Sequence, residues 1–256
     1  MKILVCVKQV CEPETAFSFE ASRPWLRQPA TVRYQMNSFD EYALEGALLL
    51  KEGLPGVGLD ALSVGPARAA TVLQRAQGMG ADRAIHILSQ DEPEALALAT
   101  WIAAWARAQD YHLILCGAMS QDAMQGLVGP MLAELLGLPL ATSVVKLELR
   151  PGQAAIYVER ELEGGWRDCL ELPLPAVLTI QSGINRPRYP SLSNLLRAKQ
   201  TKPHTLEATA LPAAPARLEL VAVDPPQRTR AGRRLEGDIQ DKARQLAAIL
   251  RERALL

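Results

Sequence analysis

The chain has 256 residues, 48% of them hydrophobic, which is ample apolar surface for one large domain or for a domain with an appended arm. Its 28 Lys and Arg balance 28 Asp and Glu, and aromatics make up only 5%, so neither the basic footprint of a nucleic-acid binder nor a base-stacking platform is expected. No stretch reaches the roughly 18 apolar residues of a membrane span, so direct membrane insertion is not expected. Cys6, Cys11, Cys116 and Cys169 show no CxxC spacing, as suits reduced thiols in the cytoplasm.

Ile3 to Val7 is a continuous apolar run, too short for a signal peptide, and reads as the first, central strand of a parallel sheet. A long irregular segment through Pro13, Pro24 and Pro29 follows, and it resolves at Asn37 to Glu41, where Ser38 and Glu41 have the spacing of a capping box. The spacing predicts a helix over Tyr42 to Glu52, stopped by Gly53. Leu59 to Val64 reads as a strand closed by Gly65-Pro66, Ala67 to Gln77 as a helix closed by Gly78 and Gly80, Ala84 to Leu88 as a strand, and Ala95 to Ala108 as a deeply packed helix.

Leu113 to Cys116 is a short run fit for a buried strand, and Gly117 ends it where the backbone turns. Leu127, Met131 and Leu135, with Leu132 and Leu136, give the next helix an apolar face, and Pro130 sits where an early turn tolerates it. The small and polar loop between them, Ala118 to Gly126, has the place of a ligand loop at the carboxyl edge of an open α/β sheet, where unpaired helix N–H groups attract a phosphate. It reads as a nucleotide cradle or, equally, as an ordinary strand-to-helix connection, since it has neither GxGxxG nor a Walker lysine.

After residue 138 the pattern changes. Ser143 to Leu149, Ala154 to Arg160 and Trp166 to Leu172 form a β-meander with turns at Pro151-Gly152 and Gly164-Gly165, then Pro175 to Ile180 reads as a strand and Leu192 to Lys199 as a short helix. Residues 200–217 read as a linker rich in Pro, Ala and Thr, and residues 218–256 as an arm: a strand from Leu218 to Val223 and a helix from Asp238 to Arg251. That helix carries Ile239, Ala243, Leu246 and Leu250 on one face and needs a surface to cover, its own domain or a partner subunit.

Catalytic patterns are missing from the sequence. His86, His112 and His204 share no metal-ligand spacing, no GxSxG elbow is present, and Asp122 is a lone loop carboxylate with the form of a turn-maker. Such a chain reads as a binding or carrier protein whose chemistry belongs to a cofactor.

VERELEGGWRDCLELPLPAVLTI, from Val158 to Ile180, resembles the signature of the β subunit of electron transfer flavoproteins. The same resemblance runs through KILVCVKQV, NSFDEYALEGALLLKEG from Asn37, SVGPA from Ser63, GMGADRAIHI from Gly78, CGAMSQD with VGPMLAELLGLP, INRPRYPSLSNLLRAK from Ile184 and VDPPQRT from Val223. It implies a Rossmann-like, doubly wound α/β fold of the adenine-nucleotide-binding type, related to universal stress and PP-loop proteins. It also implies a non-catalytic subunit, an obligate heterodimer with an α subunit that holds the redox-active FAD, and AMP in this chain. Electrons would come from acyl-CoA or other dehydrogenases and pass to a quinone oxidoreductase or similar acceptor.

Carried over residue by residue, the resemblance puts the nucleotide against Cys6, against Asn37, Ser38, Phe39 and Asp40, against Val64, and against the loop from Gly117 to Val128, with Asp122, Gln125, Gly126 and Leu127 in it. Phe39 would lie toward the flavin, and Arg188, Tyr189 and Leu192 would belong to the loop that docks on dehydrogenases. Three departures bear on the nucleotide. The family loop commonly reads DGDTGQVGP, whereas DAMQGLVGP here puts Met124 and Leu127 where polar residues are usual, leaving backbone N–H groups, Asp122 and Gly126 for a phosphate. CEPETAFSFEASRPWL from Cys11 lacks an aspartate-containing turn, and Asp168 replaces a Glu or Gln in a hairpin one residue longer. The alternatives are the electron-bifurcating type with a second FAD in this chain, a nucleotide-free scaffold, and an adenine-nucleotide enzyme of the PP-loop kind.

Overall fold

A computed structural model describes residues 1–15, 17–19, 26–27, 32–90, 93–150, 152–215, 217–218, 221 and 232–255. In chain order the elements are β1 (Lys2–Cys6), β2 (Gln9–Cys11), β3 (Ser18–Phe19), β4 (Leu26–Arg27), β5 (Tyr34–Met36), α1 (Ser38–Gly53), β6 (Gly58–Gly65), α2 (Ala70–Met79), β7 (Arg83–Leu88), α3 (Ala95–Ala106) and β8 (Leu113–Gly117). They continue with α4 (Val128–Leu136), β9 (Leu140–Glu148), β10 (Ala155–Glu161), β11 (Arg167–Pro173), β12 (Ala176–Ile180), α5 (Leu192–Gln200), β13 (His204–Glu207) and α6 (Ile239–Glu252).

The apolar run at the N-terminus becomes β1, in the interior of a nine-stranded sheet ordered β11-β10-β9-β12-β8-β1-β6-β7-β13. β1 pairs in parallel with β6, Val5 beside Ala61, and with β8, Val5 beside Leu115. Both faces of this strand are covered, which explains the unbroken apolar run. Ile3 and Val5 enter a core shared with α1 and α2, while Leu4 enters a second core shared with α3 and α4. The doubly wound parallel sheet expected from the alternation of strands and helices is therefore present, with helices on its two faces.

The meander is also present, but it extends the same sheet. β9, β10 and β11 pair antiparallel, and β12 returns to lie parallel between β9 and β8. α4 is pressed onto β12: a Cβ added at Gly129 would stand 2.4 Å from the Thr179 methyl. Gly137 ends α4 in the left-handed conformation, φ 67°, which a residue without Cβ takes up freely.

Two expectations change. No capping box forms at α1: Asn37 is the N-cap without a side-chain cap, because the Ser38 N–H is taken by Gln121 and Glu41 is drawn to Arg75. The stretch read as a linker contains β13, which pairs in parallel with β7 and extends the sheet; its mostly exposed residues carry no strand pattern. Further on, the Arg217 and Leu218 N–H groups donate to the Glu94 carboxylate before α3. Most of the strand expected from Leu218 to Val223, and all of residues 224–229, lie outside the described residues. α6 is helical as expected, with no buried residue. Among the described residues no helix is long and apolar enough to cross a membrane.

Gly129→Ala is expected to cost about 1–3 kcal/mol by overpacking, read as a lower midpoint in chemical denaturation. Adding Thr179→Ser, which removes the opposing methyl and keeps the hydroxyl that accepts from Ser143 N, should restore part of the loss. An unchanged midpoint in the single variant would show that the helix is not pressed on the sheet there.

Candidate functional site

From β1 the chain runs on to α1 and then to β6 on one side; from β8 it runs through α4 toward β9 on the other. The carboxyl ends of β1 and β8 therefore flank the topological switch point, where an open α/β sheet leaves a crevice. The residues carried over as nucleotide contacts gather around it.

Asp40, in the first turn of α1, is buried, and one carboxylate oxygen accepts from Lys8 N at 2.7 Å while the other accepts from Gly117 N at 3.0 Å. It thus joins the chain leaving β1 to the chain leaving β8. Burial pushes its pKa up to about 7, against the Lys8 and Gly117 N–H groups and the Asn37 side chain, which favour the carboxylate. Gly117 is required by this approach, since a Cβ there would stand 2.3 Å from Asp40 Oδ1 and 2.7 Å from Phe39 Cβ.

Asn37, also buried, makes the second fastening. Its Nδ2 donates to Met119 O at 2.9 Å and its Oδ1 accepts from Gln121 N at 3.0 Å, while Gln121 Oε1 accepts from Ser38 N at 3.0 Å. The Asn37 N–H donates to Lys8 O at 2.9 Å. The loop also ties itself together: Ser120 N donates to Gln125 O and Met124 N to Ser120 O, with Met124 left-handed at φ 51° and largely exposed. Gly126 lies against Ala118, where a Cβ would come within 2.6 Å of the carbonyl oxygen.

On the α3 and α4 face, Cys6, Val64 and Val128 are partly buried apolar side chains packed against the core that contains Cys116. The Cys6 thiol is held well above its usual pKa by its hydrogen bond with Cys116, by burial and by the Cys116 and Asp40 charges, so it offers no thiolate. His86 is buried in β7 and its Nε2 lies 3.0 Å from Gly65 O, which places it as a brace for the end of β6. No group of three or more His, Cys, Asp or Glu able to hold a metal occurs among the described residues.

The structure redefines two carried-over residues. Asp122 is ion-paired with Lys8, Nζ to Oδ1 and Oδ2 at 2.7 Å, so its carboxylate faces a lysine that the sequence reading did not select. Arg188 points inward: its Nε and Nη2 donate to the buried Glu45 carboxylate at 2.9 and 2.8 Å, and Nη1 and Nη2 also reach Glu52. Glu45 was overlooked, although a carboxylate among Ala43, Leu44, Gly46 and Ala47 on a buried helix face was a signal that a cation must meet it. Tyr189 and Leu192 are strongly exposed.

The sheet, mostly parallel with helices on both faces and a fastened loop at its switch point, places the chain among Rossmann-like α/β proteins. The comparisons give the family. The model of the electron transfer flavoprotein domain matches residues 28–214. "Electron transfer flavoprotein subunit beta" of Bacillus subtilis is 32% identical over 261 residues, covering 99% of both chains, and that of Bradyrhizobium diazoefficiens is 34% identical with 100% of both covered. The mitochondrial β subunit of Oryza sativa subsp. indica is 35% identical, covering 91% of this chain and 92% of its own. The chain belongs to the electron transfer flavoprotein β-subunit family.

Asp40 makes the site pH-sensitive. Its folded pKa lies near 7 and its unfolded value near the usual 4, so between these the folded chain holds a proton that the unfolded chain has released. Stability from this group therefore falls as pH rises through that window, by up to about 4 kcal/mol. Asp40→Asn should flatten the slope, checked by chemical denaturation at pH 5 and pH 8; an unaltered slope would mean that Asp40 is not the titrating group.

Proposed function

We propose that this chain binds AMP in the crevice between the ends of β1 and β8, and pairs with an α subunit that holds FAD in a heterodimeric electron carrier. The observation that carries the nucleotide reading is the state of the loop before α4. Asn37 and Asp40 spend their polar atoms in fastening it, yet among the described residues no acceptor meets the N–H groups of Gly126, Leu127 and Val128. A phosphate suits those donors, with roughly half a positive charge at the helix end. Lys8 stands at the same loop to balance its charge. Met124 and Leu127 add no side-chain donor, so the backbone would orient the phosphate, while Cys6 and Val64 offer apolar surface for the base.

FAD on the α subunit would supply the redox chemistry. This chain's own part would be to wall the flavin with Phe39, to keep the carrier folded around its nucleotide, and to present Tyr189 and Leu192 to dehydrogenases. The amphipathic α6, with Ile239 and Leu246 exposed, would cover the α subunit. An acceptor such as a quinone oxidoreductase would take the electrons on. No step asks a side chain of this chain to become a nucleophile or to carry a metal.

Denaturing the co-purified heterodimer and identifying the released nucleotides tests this directly. One FAD and one AMP per heterodimer are expected; two FAD, or FAD without AMP, would overturn the nucleotide reading, and failure to recover a flavin-bearing partner would overturn the pairing. Gly126→Ala, which places a Cβ against Ala118 O, should weaken AMP retention by about tenfold or more while FAD content stays unchanged.

A further inference from the structure

The segment after β12 is held to the body of the protein by charges and leaves apolar side chains outside. Tyr189, Leu192 and Leu196 are 87%, 73% and 54% exposed. Beneath them the packing is close: a Cβ at Gly78 of α2 would stand 2.9 Å from Leu195 and 3.2 Å from Pro190. At the start of the segment Asn185 Nδ2 donates to Tyr42 O at 2.9 Å, and Arg188 meets Glu45 and Glu52, about two turns apart along α1. The Arg188 main chain joins in, its N–H donating to Glu45 Oε2 at 3.0 Å. Arg75, itself paired with Glu41, lies 5.7 Å from the centre of the Tyr189 ring.

We propose that Arg188 is a positioning residue: clamped between Glu45 and Glu52, it fixes the segment at 188–191 that leads into α5 so that Tyr189, Leu192 and Leu196 form one preformed apolar face for a dehydrogenase with a complementary apolar recess. This rests on the reading of that segment as the docking surface. Arg188 itself does not touch the partner, because its guanidinium donors are committed to α1. The pairing is specific to a planar fork, which meets the buried Glu45 carboxylate in two places while its remaining donors turn to Glu52. Without the clamp the same side chains would still be exposed, but they would have to be ordered on each encounter, which weakens binding without altering the contacts finally made.

The test uses the heterodimer and an acyl-CoA dehydrogenase that reduces the wild-type complex with a measurable KM. Arg188→Gln is expected to raise that KM by about tenfold, with kcat, FAD content and direct reduction by a small dye unchanged. Arg188→Lys, which keeps the charge and loses the fork, should fall between. If Arg188→Gln does not fold, Glu52→Gln, which removes only the outer, half-exposed arm of the clamp, should give a smaller rise in KM. Leu192→Ala separates the two layers of the argument. A rise in KM for Leu192→Ala with none for the clamp variants would overturn the clamp and leave the docking face standing. No rise for Leu192→Ala would overturn the docking reading and the clamp's purpose with it. A parallel loss of dye reduction or FAD in Arg188→Lys and Glu52→Gln would show a general structural role and overturn positioning.

Discussion

The structure depends on the carboxylate of Asp40. The carboxyl ends of two parallel strands are divergent by nature, since the chain leaves them in opposite directions, and nothing in the sheet's own hydrogen bonding holds the emerging loops together. Asp40 supplies that tie by accepting from Lys8 N and Gly117 N at once. Asn37 repeats the device one turn earlier through Met119 and Gln121. A buried carboxylate is expensive to desolvate, and the two backbone donors offset part of that cost. The result is that the two loops leaving β1 and β8 are tied together, beside N–H groups at the start of α4 that meet no acceptor among the described residues.

The same helix serves both ends of the functional reading. Asn37 and Asp40 stand at the amino end of α1, and Glu45 follows five residues later, about 7.5 Å along the axis, to hold Arg188. The sheet fixes α1 through Ala43, Leu44 and Ala47, which are buried to 0% exposure. The proposed nucleotide site and the proposed docking segment are thereby tied to one helix, each through a carboxylate that holds a neighbouring stretch of chain.

What could be read from the residues follows from which forces act locally. Unbroken apolar runs such as Ile3 to Val7 and Leu113 to Cys116 announce strands covered on both faces, and their alternation with amphipathic helices gives the winding. The meander was visible from its turns, yet the insertion of β12 between β9 and β8 was not, because strand order is decided by long-range pairing. β13 escaped since its residues are mostly exposed and edge strands carry little pattern. At the site, position along the chain located Asp40, Asn37 and Gly117 through family resemblance, but their roles as fasteners, the Lys8–Asp122 pair and the inward turn of Arg188 arise between residues 32 to 143 positions apart. The local capping-box pattern at Ser38 lost to these distant partners.

The claim that Asn37 and Asp40 hold the crevice in a fixed form is tested most directly by native-state hydrogen exchange of the backbone amides of Lys8, Gly117, Ser38 and Gln121, the donors that close it. The account predicts that all four are protected to a degree comparable with the central strands and exchange together. Exchange at the rate of open loop amides, while the strands stay protected, would contradict it.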